Sequence, residues 1–148
     1  MKDISAIRSI IIRPQRRTLP VRVQEAKIID TGIEGDHYAK ADGNRQVTLI
    51  AKDQLDEMAA TVGFQGDAHL ECRRNIMVDT LPKENLKGKK IALGRDVILE
   101  ITGYCTPCSR MEENFGEGAI DAFSERAGWT AKVISHGAIY VGDLIKLL

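Results

Sequence analysis

No apolar run in this sequence approaches the ~20 residues that a membrane-spanning helix needs. The opening MKDISAIRSII is unlike a secretory signal peptide, so the cytoplasm is the expected location. Net charge is lacking too: 21 Lys and Arg balance 21 Asp and Glu, so neither nucleic acid nor an anionic membrane is an expected partner. Three cysteines, an odd number, argue against a disulfide framework and for free thiols in a reducing compartment. There is no Gly-rich flavin or nicotinamide motif, no internal repeat and no Pro/Gly-rich linker. Residues 1–148 are therefore expected to form one domain.

What is present is mostly short, β-branched segments. ISAIRSIIIR (4–13), VRVQEAKIID (21–30) and RQVTLI (45–50) read as strands, with Val21, Val23 and Glu25 on one face of the second. RRNIMVD (73–79), KKIALG (89–94), DVILEITGY (96–104), TAKVIS (130–135) and GAIYVGDLIKLL (137–148) continue the series. Strands at this density, separated by turn signals, predict a mainly β fold: a closed or nearly closed β-barrel with a few packed helices. Helical spacing appears at Leu55, Met58, Ala59 and Val62 within 51–63, ending at Gly63. A second helical stretch, 109–128, opens with Ser109-x-x-Glu112, a capping-box pattern, and Gly116 and Gly118 predict a bend or two short helices.

Several polar residues exceed what such a fold needs. Gly32-Ile33-Glu34-Gly35-Asp36-His37 reads as a turn, and His37 beside Asp36 is a candidate ligand or acid–base group. In an extended strand Arg73 and Asn75 share a face, opposite Arg74 and Ile76, and an arginine with an amide can hold an oxyanion. The acid-free stretch IIRPQRRTLPVR adds Arg13, Arg16 and Arg17 and points to a phosphate-bearing ligand.

Cys105 and Cys108 stand three apart, which admits a redox dithiol, half of a zinc site, or one reactive thiolate. A thioredoxin-type pair belongs early in a βαβ unit, whereas this one follows a run of strands. A zinc site wants four ligands, and beyond this pair the chain offers only Cys72, His37, His69 and His136, without a second paired motif. Cys108 precedes Ser109, the expected helix cap, where free backbone N–H groups and Arg110 favour thiolate. Thiolate suits soft metal centres and sulfur transfer, and Cys105 reads as a small core residue.

Taken in order, GIEGDHYAK (32–40), RQVTLI (45–50), RRNIMV (73–78), IALGRDVILEITGYCTPC (91–108) and GAIYVGDLIKL (137–147) resemble the MOSC domain. That family is named for the C-terminal domain of molybdenum cofactor sulfurase. The resemblance implies a barrel-like fold and a pocket for the molybdenum cofactor, molybdenum held by the dithiolene of a phosphorylated pterin. It places Cys108 as catalytic thiolate and metal ligand, and Arg73 and Asn75 on the pterin and its phosphate. Arg16 and Arg17 fall where some members carry basic residues. Two activities are implied: reduction of N-hydroxylated small molecules with electrons from a redox partner, or non-catalytic carriage of cofactor or of persulfide sulfur from a sulfur-donor protein. Many members carry additional domains, so closure over a substrate is expected to need a partner or a homodimer.

Overall fold

The computed structural model describes residues 2–107, 109–124 and 126–148. The strands are β1 (Lys2–Ile12), β2 (Val21–Val23), β3 (Glu25–Ile29), β4 (Gly32–Ile33), β5 (Val47–Ala51), β6 (Ile76–Val78), β7 (Lys90–Leu93), β8 (Val97–Tyr104), β9 (Trp129–Ser135), β10 (Gly137–Tyr140) and β11 (Leu144–Leu147). The helices are α1 (Lys52–Val62), α2 (Ala68–Cys72), α3 (Ser109–Phe115) and α4 (Ala119–Ala122).

Seven strands close a barrel in the order β1, β11, β7, β8, β9, β5, β6 and back to β1, and β2 extends β1 beyond it. Closure depends on the length of β1. Its first half pairs with β11, its middle with β6 and its end with β2, so one isoleucine-rich strand serves three neighbours. β5 and β6 run parallel, bridged by α1 and α2, while the other barrel pairings are antiparallel. A small sheet, β10-β3-β4, lies beside the barrel.

Alternation decides what fills the barrel. Along β8, Val97, Leu99 and Ile101 are buried while the alternate residues Ile98, Glu100 and Thr102 are half-exposed. They join Ile7, Ile10, Leu49 and Ile91 in the barrel core. Every residue of β5 is buried, because one face meets this core and the other meets the helices. Ile50 on the helix side packs with Leu55, Met58, Met111, Phe115 and Phe123 in a second core.

Three local expectations are corrected. The segment 21–30 is two strands rather than one: the chain bends at Gln24, whose carbonyl accepts from Val141 N (3.0 Å), and passes from the barrel to the small sheet. The strand expected at 73–79 begins at Ile76, because Arg73 takes a left-handed conformation (φ 61°) capping α2. Arg73 and Asn75 therefore do not share a strand face. Finally, Glu112 accepts from Gly118 N (3.2 Å) and Ile120 N (2.8 Å), so its carboxylate caps α4 as well as sitting in the first turn of α3. The break at Gly116–Gly118 is present as expected.

Candidate functional site

A cavity of about 200 Å³ opens where five segments meet: the end of β1 with the loop after it, the turn before Tyr38, the residues just before β5, the end of α2 with the α2–β6 connection, and the start of α3. It is lined by Arg13, Arg16, Arg17, Arg45, Arg73, Arg74 and Arg110, with His37, Glu71, Cys72 and Met111. These are seven of the chain's eleven arginines, and none of its ten lysines is among them. A chain of zero net charge has thus concentrated its planar, bidentate cations around one opening.

Beneath the opening lies a buried polar network. Arg13 pairs with Asp36 through Nη2–Oδ2 (2.8 Å) and Nε–Oδ1 (3.1 Å), and Arg13 N also donates to Oδ1 (2.8 Å). Oδ1 accepts from Asn75 Nδ2 (3.1 Å), and Oδ2 from Tyr38 N (3.3 Å). Burial alone would raise the Asp36 pKa, but the Arg13 guanidinium and the backbone N–H groups of Arg13 and Tyr38 hold it below the ordinary carboxylate range. Asn75 is fully buried, and its second amide hydrogen goes to the Ile11 carbonyl (3.3 Å). Its oxygen accepts from Thr48 N (3.2 Å) and Thr48 Oγ1 (3.1 Å). The side chain ties β1, β5 and the α2–β6 connection together and does not line the cavity.

The arginine pair after α2 is held from both sides. Arg74 is 5% exposed; its Nε donates to Ala127 O (2.7 Å) and its Nη1 to Cys72 O (3.4 Å). Its Nη2 is buried with no hydrogen-bond partner among the described residues. The Arg74 carbonyl lies 2.7 Å from His69 Nε2, so that nitrogen carries the proton, and Nδ1 accepts from Ser9 Oγ (2.8 Å). Ser9 in turn accepts from Arg22, which is paired bidentately with Asp67, the N-cap of α2. Burial, followed by the Arg22 charge, pushes the His69 pKa down to about 4, against hydrogen bonding to Arg74 and the Asp67 charge.

Arg73 spans the rim, donating to the Thr18 carbonyl and to Gln15 O (3.3 Å), which anchors the loop carrying Arg16 and Arg17. Its pKa is lowered by burial first and then by Arg110 and Arg13. His37 is lowered by burial and by Arg13, with Asp36 opposing, which favours the neutral ring at pH 7. Cys72 is buried, donates to His69 O (3.2 Å) and is pushed up to about 11 by burial, so it stays a thiol. Cys105 is buried in the helix-side core, as expected of a core residue. Cys108 lies outside the described residues; Arg110 and Met111, which follow it in sequence, line the cavity. Among the described residues no three His, Cys, Asp or Glu side chains gather to hold a metal ion.

Of the residues singled out from sequence, the fold brings Arg16, Arg17 and Arg73 to the cavity with Arg13 and His37, and puts Asn75 beneath it. Arg45 and Arg74 were missed as site residues. Arg45 opens the segment expected as a strand at 45–50 and sits just before β5, and nothing in that strand pattern marks it as a site residue. Arg74 was assigned to a strand face, and the left-handed turn at Arg73 redirects it.

Solved structures similar to this one include the YUAD protein of Bacillus subtilis, 18% identical, with a TM-score of 0.82 over 97% of this chain and 96% of that one. YiiM from Escherichia coli is 16% identical, with a TM-score of 0.72 over 97% of this chain and 69% of that one. YiiM from Geobacillus stearothermophilus is 13% identical, with a TM-score of 0.75 over 98% and 75% respectively. At these identities they establish the shared fold. No curated protein matches the sequence. No described helix is long and apolar enough to cross a membrane. The model of the MOSC domain matches residues 21–146, spanning the barrel from β2 into β11 together with every wall of the arginine-lined cavity except the end of β1 and its loop, and on that match this chain belongs to the MOSC domain family.

Proposed function

We propose that this protein binds the molybdenum cofactor at the arginine-lined cavity, with Cys108 as the protein thiolate on molybdenum, and reduces N-hydroxylated small molecules there. The observation that carries the reading is the gathering of seven guanidiniums against one lining carboxylate, Glu71, in a family associated with this cofactor. That donor set fits the anionic end of a phosphorylated pterin, for which planar N–H forks are the matching partners. Among the described residues the buried Nη2 of Arg74 has no hydrogen-bond partner, and an anionic ligand would supply the acceptor.

In this reading Arg16, Arg17 and Arg73 hold the phosphate and orient the cofactor. Asn75 acts at one remove, because both its amide hydrogens are already spent on Asp36 and Ile11; it positions Arg13 through Asp36. The surplus of positive charge lowers the pKa of a cysteine brought to it and so favours the Cys108 thiolate. Bound, the cofactor supplies two-electron redox chemistry, for which a redox partner provides electrons.

A second reading, carriage of cofactor or of sulfur on Cys108 without turnover, is favoured by the cavity's size. About 200 Å³ falls below the ~300–1,000 Å³ of pockets that enclose a whole small molecule. Molybdenum content and pterin fluorescence test both, on protein made with active cofactor synthesis. Wild type and Cys105→Ser are expected to carry near-stoichiometric molybdenum and pterin, and Cys108→Ser to lose the metal. Well-folded wild type without metal or pterin overturns the proposal. Turnover of an N-hydroxylated base with a chemical reductant then selects the enzyme over the carrier.

A further inference from the structure

The cavity has a neighbour. A second hollow of about 160 Å³ shares Arg17, Glu71, Arg73 and Arg110 with it and is closed by Thr18, Leu19, Pro20, Leu70 and Asn114. The three shared guanidiniums stand between the two hollows, while Arg13, Arg45 and Arg74 line only the first. Neither Arg17 nor Arg110 has an ion pair or side-chain hydrogen bond to the described residues. Arg17 also sits at φ 67°, a left-handed backbone that an L side chain adopts at a cost, and such strain collects at ligand sites. The Arg73 pKa is lowered by burial first and then by the neighbouring charges of Arg110 and Arg13, with Asp36 and Glu71 opposing, so the cations of the two hollows lie close enough to repel one another.

One phosphate carries a charge of about −1.5 to −2 and has three free oxygens, which a few of these guanidiniums saturate. We propose that the two hollows form one groove for a ligand with two anionic groups, of the diphosphate class, one group against Arg74 and Arg45 and the other between Arg17 and Arg110. This rests on the reading that the arginine cavity is the ligand site, and on nothing about the pterin.

Titration calorimetry with inorganic phosphate and inorganic pyrophosphate, at matched ionic strength, tests it. Wild type is expected to bind pyrophosphate at least tenfold more tightly than phosphate. Leu19 lines only the second hollow and is 66% exposed, so its replacement leaves folding intact. Leu19→Asp places a negative charge there and should remove most of the pyrophosphate advantage while shifting phosphate affinity less than threefold. Leu19→Asn, the neutral control, should retain the advantage. Equal affinity for the two anions overturns the inference, as does a Leu19→Asp effect of the same size on both. Protein that carries no molybdenum or pterin yet passes this test removes the cofactor reading and leaves the groove standing. Protein that loads cofactor but fails to discriminate does the reverse.

Discussion

Replacing Asp36 by Asn probes the network on which the cavity rests. The substitution keeps the side chain's shape and removes one charge. The Asp36 side chain is wholly buried, and that of its partner Arg13 is 8% exposed. The carboxylate accepts from Arg13 N, Nε and Nη2, from Asn75 and from Tyr38 N. Removing one member of a buried pair strands the other charge, which costs about 3–5 kcal/mol. At about 2–4 °C per kcal/mol for a protein of this size, the midpoint should fall by roughly 6–20 °C. Denaturant melts should show a lower midpoint at unchanged slope. The sign with pH follows from the depressed Asp36 pKa: its contribution is present above about pH 4, the ordinary carboxylate range, and is lost as pH falls through the lower folded value. The gap between wild type and Asp36→Asn should therefore be constant from pH 8 to 5 and close in acid. Because Arg13 lines the cavity, added phosphate should stabilise the variant more than wild type. A loss under about 1 kcal/mol at pH 7 would refute the claim that this pair is a desolvated, coupled unit.

Two further perturbations test the surroundings. His69 has a folded pKa of about 4 against an ordinary value near 6.5, so as pH falls the unfolded chain takes up its proton first. The His69 contribution to stability should be flat above pH 6.5, decline by on the order of 3 kcal/mol down to pH 4, and level off below, where the loss of the Asp36 contribution takes over; His69→Gln should flatten the slope between pH 6.5 and 4, and an undiminished slope there assigns the acid sensitivity to another group. At Gly128 the backbone has φ 96° and an added Cβ would lie 2.1 Å from Leu49 O, whereas at Gly116 (φ 102°) it meets nothing. Both alanines incur backbone strain of about 1–2 kcal/mol, and Gly128→Ala should lose several kcal/mol more in thermal melts; equal losses would mean that β5 yields to the intruding methyl.

The barrel was legible because the rule that builds it is local. Period-two alternation such as Val97-x-Leu99-x-Ile101 marks a strand with one buried face wherever it occurs, and Gly63 ends α1 as its sequence position suggests. α2 was not legible. Five residues hold no helical period, and the only signal, Asp67 capping Leu70 N, is one residue among many that could cap. Missing that helix moved the strand start from Ile76 to Arg73 and put Arg73 and Asn75 on a face they do not share.

The amino-acid sequence by itself determined the mainly β class, the two helical regions and the presence of arginines in excess of structural need near residues 13–17 and 73–74. These follow from periodicity and composition, which act over a few residues. Only the tertiary structure decided that Arg45 and Arg110 join them, that Arg74 Nη2 is buried with no hydrogen-bond partner among the described residues, and that Asn75 gives its two amide hydrogens to Asp36 and Ile11. Those outcomes depend on which segments barrel closure brings together, as when Arg13 meets Asp36 across 23 residues and Asn75 across 62. Charge gathered over such separations leaves no trace in a chain whose net charge is zero.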